Sequence, residues 1–324
     1  MEKPLQGSGS SCDGRDGGRE EGSLPEAIQE DSILSWNEKL KQLPEFKYRS
    51  KLNISEELEG ENFLNASKVD IPRLNPVDNI RNGTFVGLGS GPSVKTFINE
   101  LSSAKDQFFC FTKSGHDYYK SKGIFGHCLL LDGRERSAVE FLKPDKRNIY
   151  YIASHCHPKM FELTEGFERY LFHCTTNKNW IKHFNPRGIS ILGGTTSVGR
   201  MVGFGHAIGF RKFVFFGTDC SFDIDGEPLH PYLLPQPPGT KIYAMVVECL
   251  GKYFLTNSQF LQQLHDFDRL IAKSPELDIR FAGDGLMQWR YNNLSKDGVA
   301  PNIIIHRVYG KPERKGLKNG EIQR

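Results

Sequence analysis

From Thr84 to Ala282 the chain alternates short unbroken apolar runs with stretches in which apolar residues recur every three or four positions. Runs of four to six residues bounded by turn residues read as strands buried on both faces, and the spaced stretches read as helices. Strands are predicted at Thr84–Leu88, Gln107–Phe111, Cys128–Leu131, Asn148–Ala153, Arg169–His173, Phe213–Phe216 and Asp278–Ala282, with Ile189–Leu192 extending the pairing near Arg169–His173. Helices are predicted from Val94, Phe97, Ile98 and Leu101, at Asp117–Ser121, from about Lys159, and from Val198, Met201, Val202, Gly205 and Ile208. A further helix spans Gln259–Lys273, with Phe260, Leu264, Phe267, Leu270 and Ile271 inward. Gly199, Gly203 and Ala207 lie four apart and form a flat stripe for close packing on a sheet. Gly209 sits where a C-terminal cap is expected, and His206 is expected to be partly buried. Lys241–Cys249 and Tyr253–Thr256, joined around Gly251, read as a hairpin. Strands alternating with helices imply an α/β fold: a mainly parallel sheet with helices on both faces, plus a small β-hairpin.

The pattern fades outside this block. Residues 1–30 carry seven acids and three bases and no apolar run, the composition of a disordered acidic tail. Residues 31–79 form a helical or extended N-terminal extension, in which Ile33, Leu34, Trp36, Leu40 and Leu43 make one amphipathic stretch. The domain proper is residues 80–293, and residues 294–324 read as a polar basic tail. Within the domain, Ser221–Pro238 is rich in Pro, Asp and Gly without a period, as lids are.

Composition narrows the function. A net charge of +3 over 324 residues gives no basic footprint, and the aromatic residues sit in strands rather than between bases, so nucleic acid is not an expected partner. No apolar stretch approaches the roughly 20 residues of a membrane helix, and the first thirty residues lack a signal core. The seven cysteines are scattered and mostly strand-associated, which implies reduced thiols and a cytoplasmic location.

Candidate chemistry clusters at the ends of predicted strands. Gly89-Ser90-Gly91-Pro92-Ser93 and Gly193-Gly194-Thr195-Thr196 are glycine-rich turns that open helices. Backbone N–H groups there suit phosphate or nucleotide binding. Placed at the carboxyl ends of neighbouring strands, the two turns would face one crevice. Gly217-Thr218-Asp219 follows a buried strand, and Asp219 there can bind magnesium or a ribose hydroxyl, or act as a base. Asp132 ends another strand with Arg134 beside it, a catalytic carboxylate and a phosphate-pairing cation. His157 and His230 are rim candidates, and Asp284 lies between two glycines after the last strand. His155, Cys156, His157, His173 and Cys174 invite a zinc reading, but their spacing fits no common zinc pattern. Cys156 is a conceivable nucleophile without any sequence sign of a depressed pKa.

Gly89-Ser90-Gly91-Pro92-Ser93, Gly193-Gly194-Thr195, and Gly209-Phe210 through Gly217-Thr218-Asp219 occur in the order and context of the 6-hydroxymethylpterin diphosphokinase MptE-like domain, which residues 80–290 resemble. The resemblance implies a Rossmann-like core and a transferase binding a nucleotide or diphosphate ligand. The activity it implies is diphosphate transfer from ATP to a small alcohol such as a hydroxymethylpterin, with magnesium. The same core is similar to bacterial sialyltransferases, which use a nucleotide sugar, and to flagellin-glycosylation accessory proteins. A nucleotide-sugar glycosyltransferase, or a non-catalytic binding or assembly module, is therefore the alternative. Expected partners are a nucleotide or nucleotide-sugar ligand and a small-molecule acceptor.

Overall fold

In chain order the elements are helix α1 (Glu56–Ser67), strand β1 (Thr84–Leu88), α2 (Val94–Ser103), β2 (Phe108–Thr112), α3 (Lys113–Ser121), β3 (His127–Leu130), β4 (Ile149–Ala153), α4 (Pro158–Leu163), β5 (Arg169–Phe172) and α5 (Ser197–Ala207). There follow β6 (Lys212–Phe216), β7 (Met245–Cys249), β8 (Lys252–Thr256), α6 (Ser258–Lys273), β9 (Asp278–Ala282), α7 (Leu286–Asn292) and β10 (Ile304–Val308). The computed structural model describes residues 54–104, 106–135, 142–174, 190–191, 196–222, 245–295, 298 and 300–308. All lie in the unit Pro44–Glu313; a second unit, Met1–Leu43 with Arg314–Arg324, falls outside them. The acidic tail, the stretch around Trp36, Gly193–Thr195, His230 and most of Ser221–Pro238 are likewise outside the described residues.

Seven parallel strands form one sheet in the order β5-β4-β3-β2-β1-β6-β9. The chain starts at the centre, steps outward to β5, and returns across α5 to place β6 on the other side of β1. Strand order therefore reverses between β1 and β6, and such a reversal opens a crevice at the carboxyl ends of the two strands. Beyond β5, Ser190 bridges His173 in parallel, the extension that the Ile189–Leu192 run predicts.

The two sheet faces are read from strand alternation. Phe85, Phe108, Phe213, Phe215 and Phe281 share one face, where α5 and α6 add Phe204 and Phe267 at ring distances of 5.3–6.2 Å. Val86, Leu88 and Phe216 point to the other face. There Phe97 of α2 meets Phe216 at 5.2 Å, and Tyr119 of α3 meets Phe111 at 5.7 Å. Helices thus cover both faces, so the central strands read as unbroken hydrophobic runs, while the edge strand β9 carries an exposed Arg280.

The glycine that lets α5 approach is Gly205. A Cβ there would come within 2.5 Å of the Phe213 ring and 2.8 Å of the Phe85 ring. Gly203 and Ala207, expected to form the packing stripe, are only partly covered, and His206, expected to be partly buried, is exposed. Three residues on one helix face cannot be told from their neighbours by spacing alone when the helix is small-residue-rich all round.

Three elements escape the sequence pattern, and a fourth, predicted at Asp117–Ser121, starts earlier than expected. The α1 helix buries Glu59, Gly60, Asn62, Phe63 and Ala66, a largely polar face with no apolar period. Helix α3 begins at Lys113 rather than Asp117 because its first turn, Lys-Ser-Gly, has no apolar residue to mark it. Helix α7 is seven residues long, too short for a period. Ile304–Val308, within the stretch read as a polar tail, pairs antiparallel with β7 and turns the expected hairpin into a three-stranded sheet, β10-β7-β8.

Because Gly205 abuts two locked rings, Gly205→Ala is expected to destabilise the fold by about 1–3 kcal/mol in chemical denaturation. That is the opposite sign to the gain of roughly 1 kcal/mol that Gly→Ala brings in an open helix.

Candidate functional site

Three turns at the carboxyl edge of the sheet meet at the switch point: Gly89–Ser93 after β1, Gly217–Asp219 after β6, and Gly283–Gly285 after β9. Asp219 joins them. Its Oδ2 accepts the Ser93 amide at 2.8 Å, and its Oδ1 accepts Ser93 Oγ and, at 2.8 Å, Gln288 Nε2 from α7. Its carbonyl accepts the Met287 amide at 3.0 Å. The residue is 2% exposed. Burial raises its carboxyl above the usual range; the Ser93 and Gln288 donors counter this, and the Asp284 carboxylate adds to the rise.

The backbone around Asp219 is shaped to aim that carboxylate. Gly217 has φ +63 and Cys220, a non-glycine residue, has φ +52. A left-handed non-glycine residue is a sparsely populated, costly conformation that surrounding contacts must enforce. The Cys220 carbonyl is held by Thr256 Oγ1 at 2.6 Å. A Cβ on Gly91 would lie 2.6 Å from Asp219 Oδ2, a Cβ on Gly283 (φ +130) would collide with Ser93 Oγ, and a Cβ on Gly285 would collide with Asp219 itself. The glycines of all three turns serve this close approach.

This geometry uses up most of the amides of the first glycine-rich turn. Gly89 N donates to Phe216 O at 2.8 Å, Gly91 N to Gly217 O at 2.6 Å, and Ser93 N to Asp219. Pro92 has no N–H. Of the five residues, only the Ser90 amide lacks a partner among the described residues. The anionic position at the start of α2 is filled by the chain's own carboxylate, as a helix N-terminus favours. Magnesium does not fit Asp219: three hydrogen-bond donors already face its oxygens, and no group of three or more His, Cys, Asp or Glu that could hold a metal occurs among the described residues.

Polar groups remain around the latch. Ser90 Oγ contacts Ser114 Oγ at 2.7 Å, which contacts Thr112 Oγ1 at 2.9 Å. This hydroxyl chain links the turn after β1 to the first turn of α3. Tyr119 of α3 donates its hydroxyl to the Gly89 carbonyl. Thr218 Oγ1 and Gln288 Oε1 are buried, at 3% and 0% residue exposure, and have no partner among the described residues. Buried polar atoms are nearly always paired, with protein, water or ligand.

Asp132 stands elsewhere. It follows β3, three strands from β6, roughly 14 Å away at the usual strand spacing. Its carboxylate is held bidentately by Arg134, Oδ2 to Nη2 at 2.8 Å and Oδ1 to Nε at 3.0 Å. Its carbonyl accepts the His157 amide. His157 Nδ1 in turn accepts the Lys159 amide at 3.2 Å and caps α4, aided by Pro158 in the first turn. That bond fixes Nε2 as the protonated nitrogen of neutral His157, so the ring presents a donor. Thr196 caps α5 through Gly199 N at 3.4 Å. Because Arg200 of α5 reaches the Cys174 carbonyl while Gly205 lies on Phe85, α5 runs from the carboxyl edge toward the amino edge.

The candidate residues thus divide into a switch-point group, with Ser90, Ser93, Thr218 and Asp219, and an outer group on β3–β5, with Asp132, Arg134 and His157. Gln288, Ser114 and Thr112 join the first group without a sequence signal; only their positions at strand and helix ends could have pointed to them. A cavity of about 210 Å³ lined by Leu261, Leu264, His265, Arg290, Asn302, Ile303 and Ile305 belongs to neither group.

No protein-family model matches the chain, and no curated protein matches it in sequence. Among solved structures it is similar to the MAf glycosyltransferase from Magnetospirillum magneticum AMB-1, with a TM-score of 0.55 and 15% identity. The match covers 73% of this chain and 38% of that one. At this identity the likeness establishes the shared α/β, Rossmann-like architecture, into which the parallel sheet, its strand reversal and the two helical layers fit.

Proposed function

We propose that the chain is a transferase that takes a nucleotide-activated sugar in the switch-point crevice and passes the glycosyl group to a small acceptor hydroxyl. The observation that carries this reading is the crevice itself. It is a strand-order reversal whose two flanking turns are glycine-built and beside which two buried polar atoms, Thr218 Oγ1 and Gln288 Oε1, have no partner among the described residues. Ligands of open α/β sheets bind at such points. The name of the structural neighbour favours glycosyl over diphosphate transfer. So does the Asp219 carboxylate, because the diphosphokinase reading calls on it to seat magnesium.

In glycosyl transfer the acceptor oxygen bonds to the anomeric carbon as the bond from that carbon to the nucleotide phosphate breaks, and the acceptor's proton passes to solvent or to the departing phosphate. The departing phosphate gains negative charge, and fixed donors at that position lower the barrier. The Ser90 amide, the Ser90 and Ser114 hydroxyls and the N-terminus of α3 are the groups available to receive it. Asp219 is then a positioning residue that keeps the turns after β1, β6 and β9 in register and touches no substrate. Asp132, Arg134 and His157 stand on the same sheet edge and would face the sugar or the acceptor.

Thermal shift with CMP- and UDP-linked sugars, and with ATP and magnesium, tests this. A nucleotide sugar is expected to raise the melting temperature without added magnesium, by an amount equivalent to roughly 2.7 kcal/mol at a hundredfold excess over Kd. Loss of the Ser114 hydroxyl in Ser114→Ala is expected to weaken binding about tenfold. A response only to ATP with magnesium would restore the diphosphokinase reading, and no response to any nucleotide would favour a non-catalytic module. Asp219→Asn places an amide NH₂ against donors and is expected to cost about 1–3 kcal/mol of stability in urea titration. Ser93→Ala, which keeps the backbone donor, is expected to cost less.

A further inference from the structure

Outside the switch point, the carboxyl edge holds a second group of reactive atoms. His155, in the loop after β4, lies with Nδ1 2.9 Å from Cys174 Sγ, two residues past β5. Its Nε2 donates to the Leu131 carbonyl at 2.6 Å. With Nε2 committed as a donor, Nδ1 is the nitrogen that exchanges a proton with the sulfur. A nucleophile, a base in contact with it and a third group orienting the base are the parts of an activated cysteine.

The surroundings hold this pair in place. Cys156 donates its thiol to the Leu130 carbonyl at 3.1 Å, so the loop is docked on the end of β3 by two side chains in succession. Asn62 of α1 donates to the carbonyls of His155 and Gly133, both at 3.0 Å. Arg200 of α5 donates to the Cys174 carbonyl at 2.8 Å. Ser154, the residue before His155, is 1% exposed and its Oγ has no partner among the described residues.

We propose that Cys174 and His155 form a thiolate–imidazolium pair that reacts with small, uncharged organic disulfides, a reactive site separate from the switch-point crevice. The Cys174 thiolate attacks one sulfur of the disulfide; the old S–S bond breaks as a mixed disulfide on Cys174 forms. The departing thiolate takes the proton from His155 Nδ1, which leaves neutral His155 still donating Nε2–H to Leu131. The disulfide is the oxidant and is itself reduced to one free thiol. Cys174 is 3% exposed and His155 is partly covered, so the pair admits small reagents only.

The electrostatics agree. Burial opposes ionisation of Cys174, but the His155 charge, its hydrogen bond and Arg200 together bring the thiol below its ordinary range. Burial disfavours charged His155, and the Cys174 sulfur reverses this and raises it. Glu59 from α1 and Arg200 from α5 are the other charged groups facing the sulfur, and Asp132 faces the neighbouring Cys156. The buried Cys110, Cys156 and Cys220 thiols are pushed well up, so they do not compete.

The test is the rate of modification of the folded full chain by 2,2′-dithiodipyridine, with the modified cysteine assigned by peptide mass mapping. Modification of Cys174 is expected to slow clearly less between pH 8 and pH 6 than the roughly hundredfold of a thiol of ordinary pKa. In His155→Gln the ordinary slope is expected to return, while the melting temperature reports whether that variant is folded. A wild-type profile that falls like an ordinary thiol, or no modification of Cys174 while the protein is folded, overturns the proposal. Because the wild-type profile alone decides, a poorly folding variant does not obscure it. Nucleotide binding at the switch point is read separately and can fail without touching this result.

Discussion

A carboxylate buried at 2% exposure, with its oxygens turned onto Ser93 and Gln288, is the constraint on which the centre of this protein depends. Left without donors, such a group would cost several kcal/mol. Asp219 therefore requires the turn after β1 and helix α7 to arrive at fixed positions, and the glycines of all three turns are there to let them. The left-handed Cys220 belongs to the same requirement, since an extended residue at 220 would carry the chain off before Ser221 could contact the Asp219 carbonyl. What looks in one dimension like three unrelated glycine-bearing turns is in space one collar around one carboxylate.

The rest of the carboxyl edge follows from the parallel sheet. Because all seven strands point the same way, every turn that carries unusual chemistry emerges on one side. The sheet then sorts them by strand order rather than by sequence order. The switch-point group after β1 and β6 and the His155–Cys174 pair after β4 and β5 are both products of this sorting, three to five strands apart along the same rim. The aromatic layers beneath, with Phe85 in contact with Phe108, Phe204, Phe210 and Phe213, give the rim a floor that does not yield.

Most of the fold was legible because its strands are buried on both faces and its main helices on one. Phe213–Phe216 and the helix from Val198 announce themselves through apolar spacing alone. Helix α1 does not, because its buried face includes Glu59 and an Asn62 held by the Gly133 and His155 carbonyls, and polarity reads as exposure in a sequence. The site was legible in its parts but not in its wiring. Gly89–Ser93 and Asp219 stand out as turn chemistry, yet nothing in the chain says that the carboxylate faces the turn's own amides, since that depends on β1 and β6 becoming neighbours across an interval of over a hundred residues. The pairing of His155 with Cys174 depends in the same way on the β4–β5 register, in which Ala153 faces Phe172.

Strand order also has a consequence for synthesis. The ribosome delivers β1 to β5 in the sequence in which they sit, centre to edge, so five of the seven strands can assemble as they emerge. The other two, β6 and β9, come later. Asp219 leaves the ribosome 126 residues after Ser93, and Gln288 another 69 residues later, so the collar closes only when nearly the whole domain is out. Until then one side of β1 lacks its neighbour and the Ser93 amide lacks its acceptor, and the nascent chain carries an open sheet edge at the strand that will end up deepest inside it.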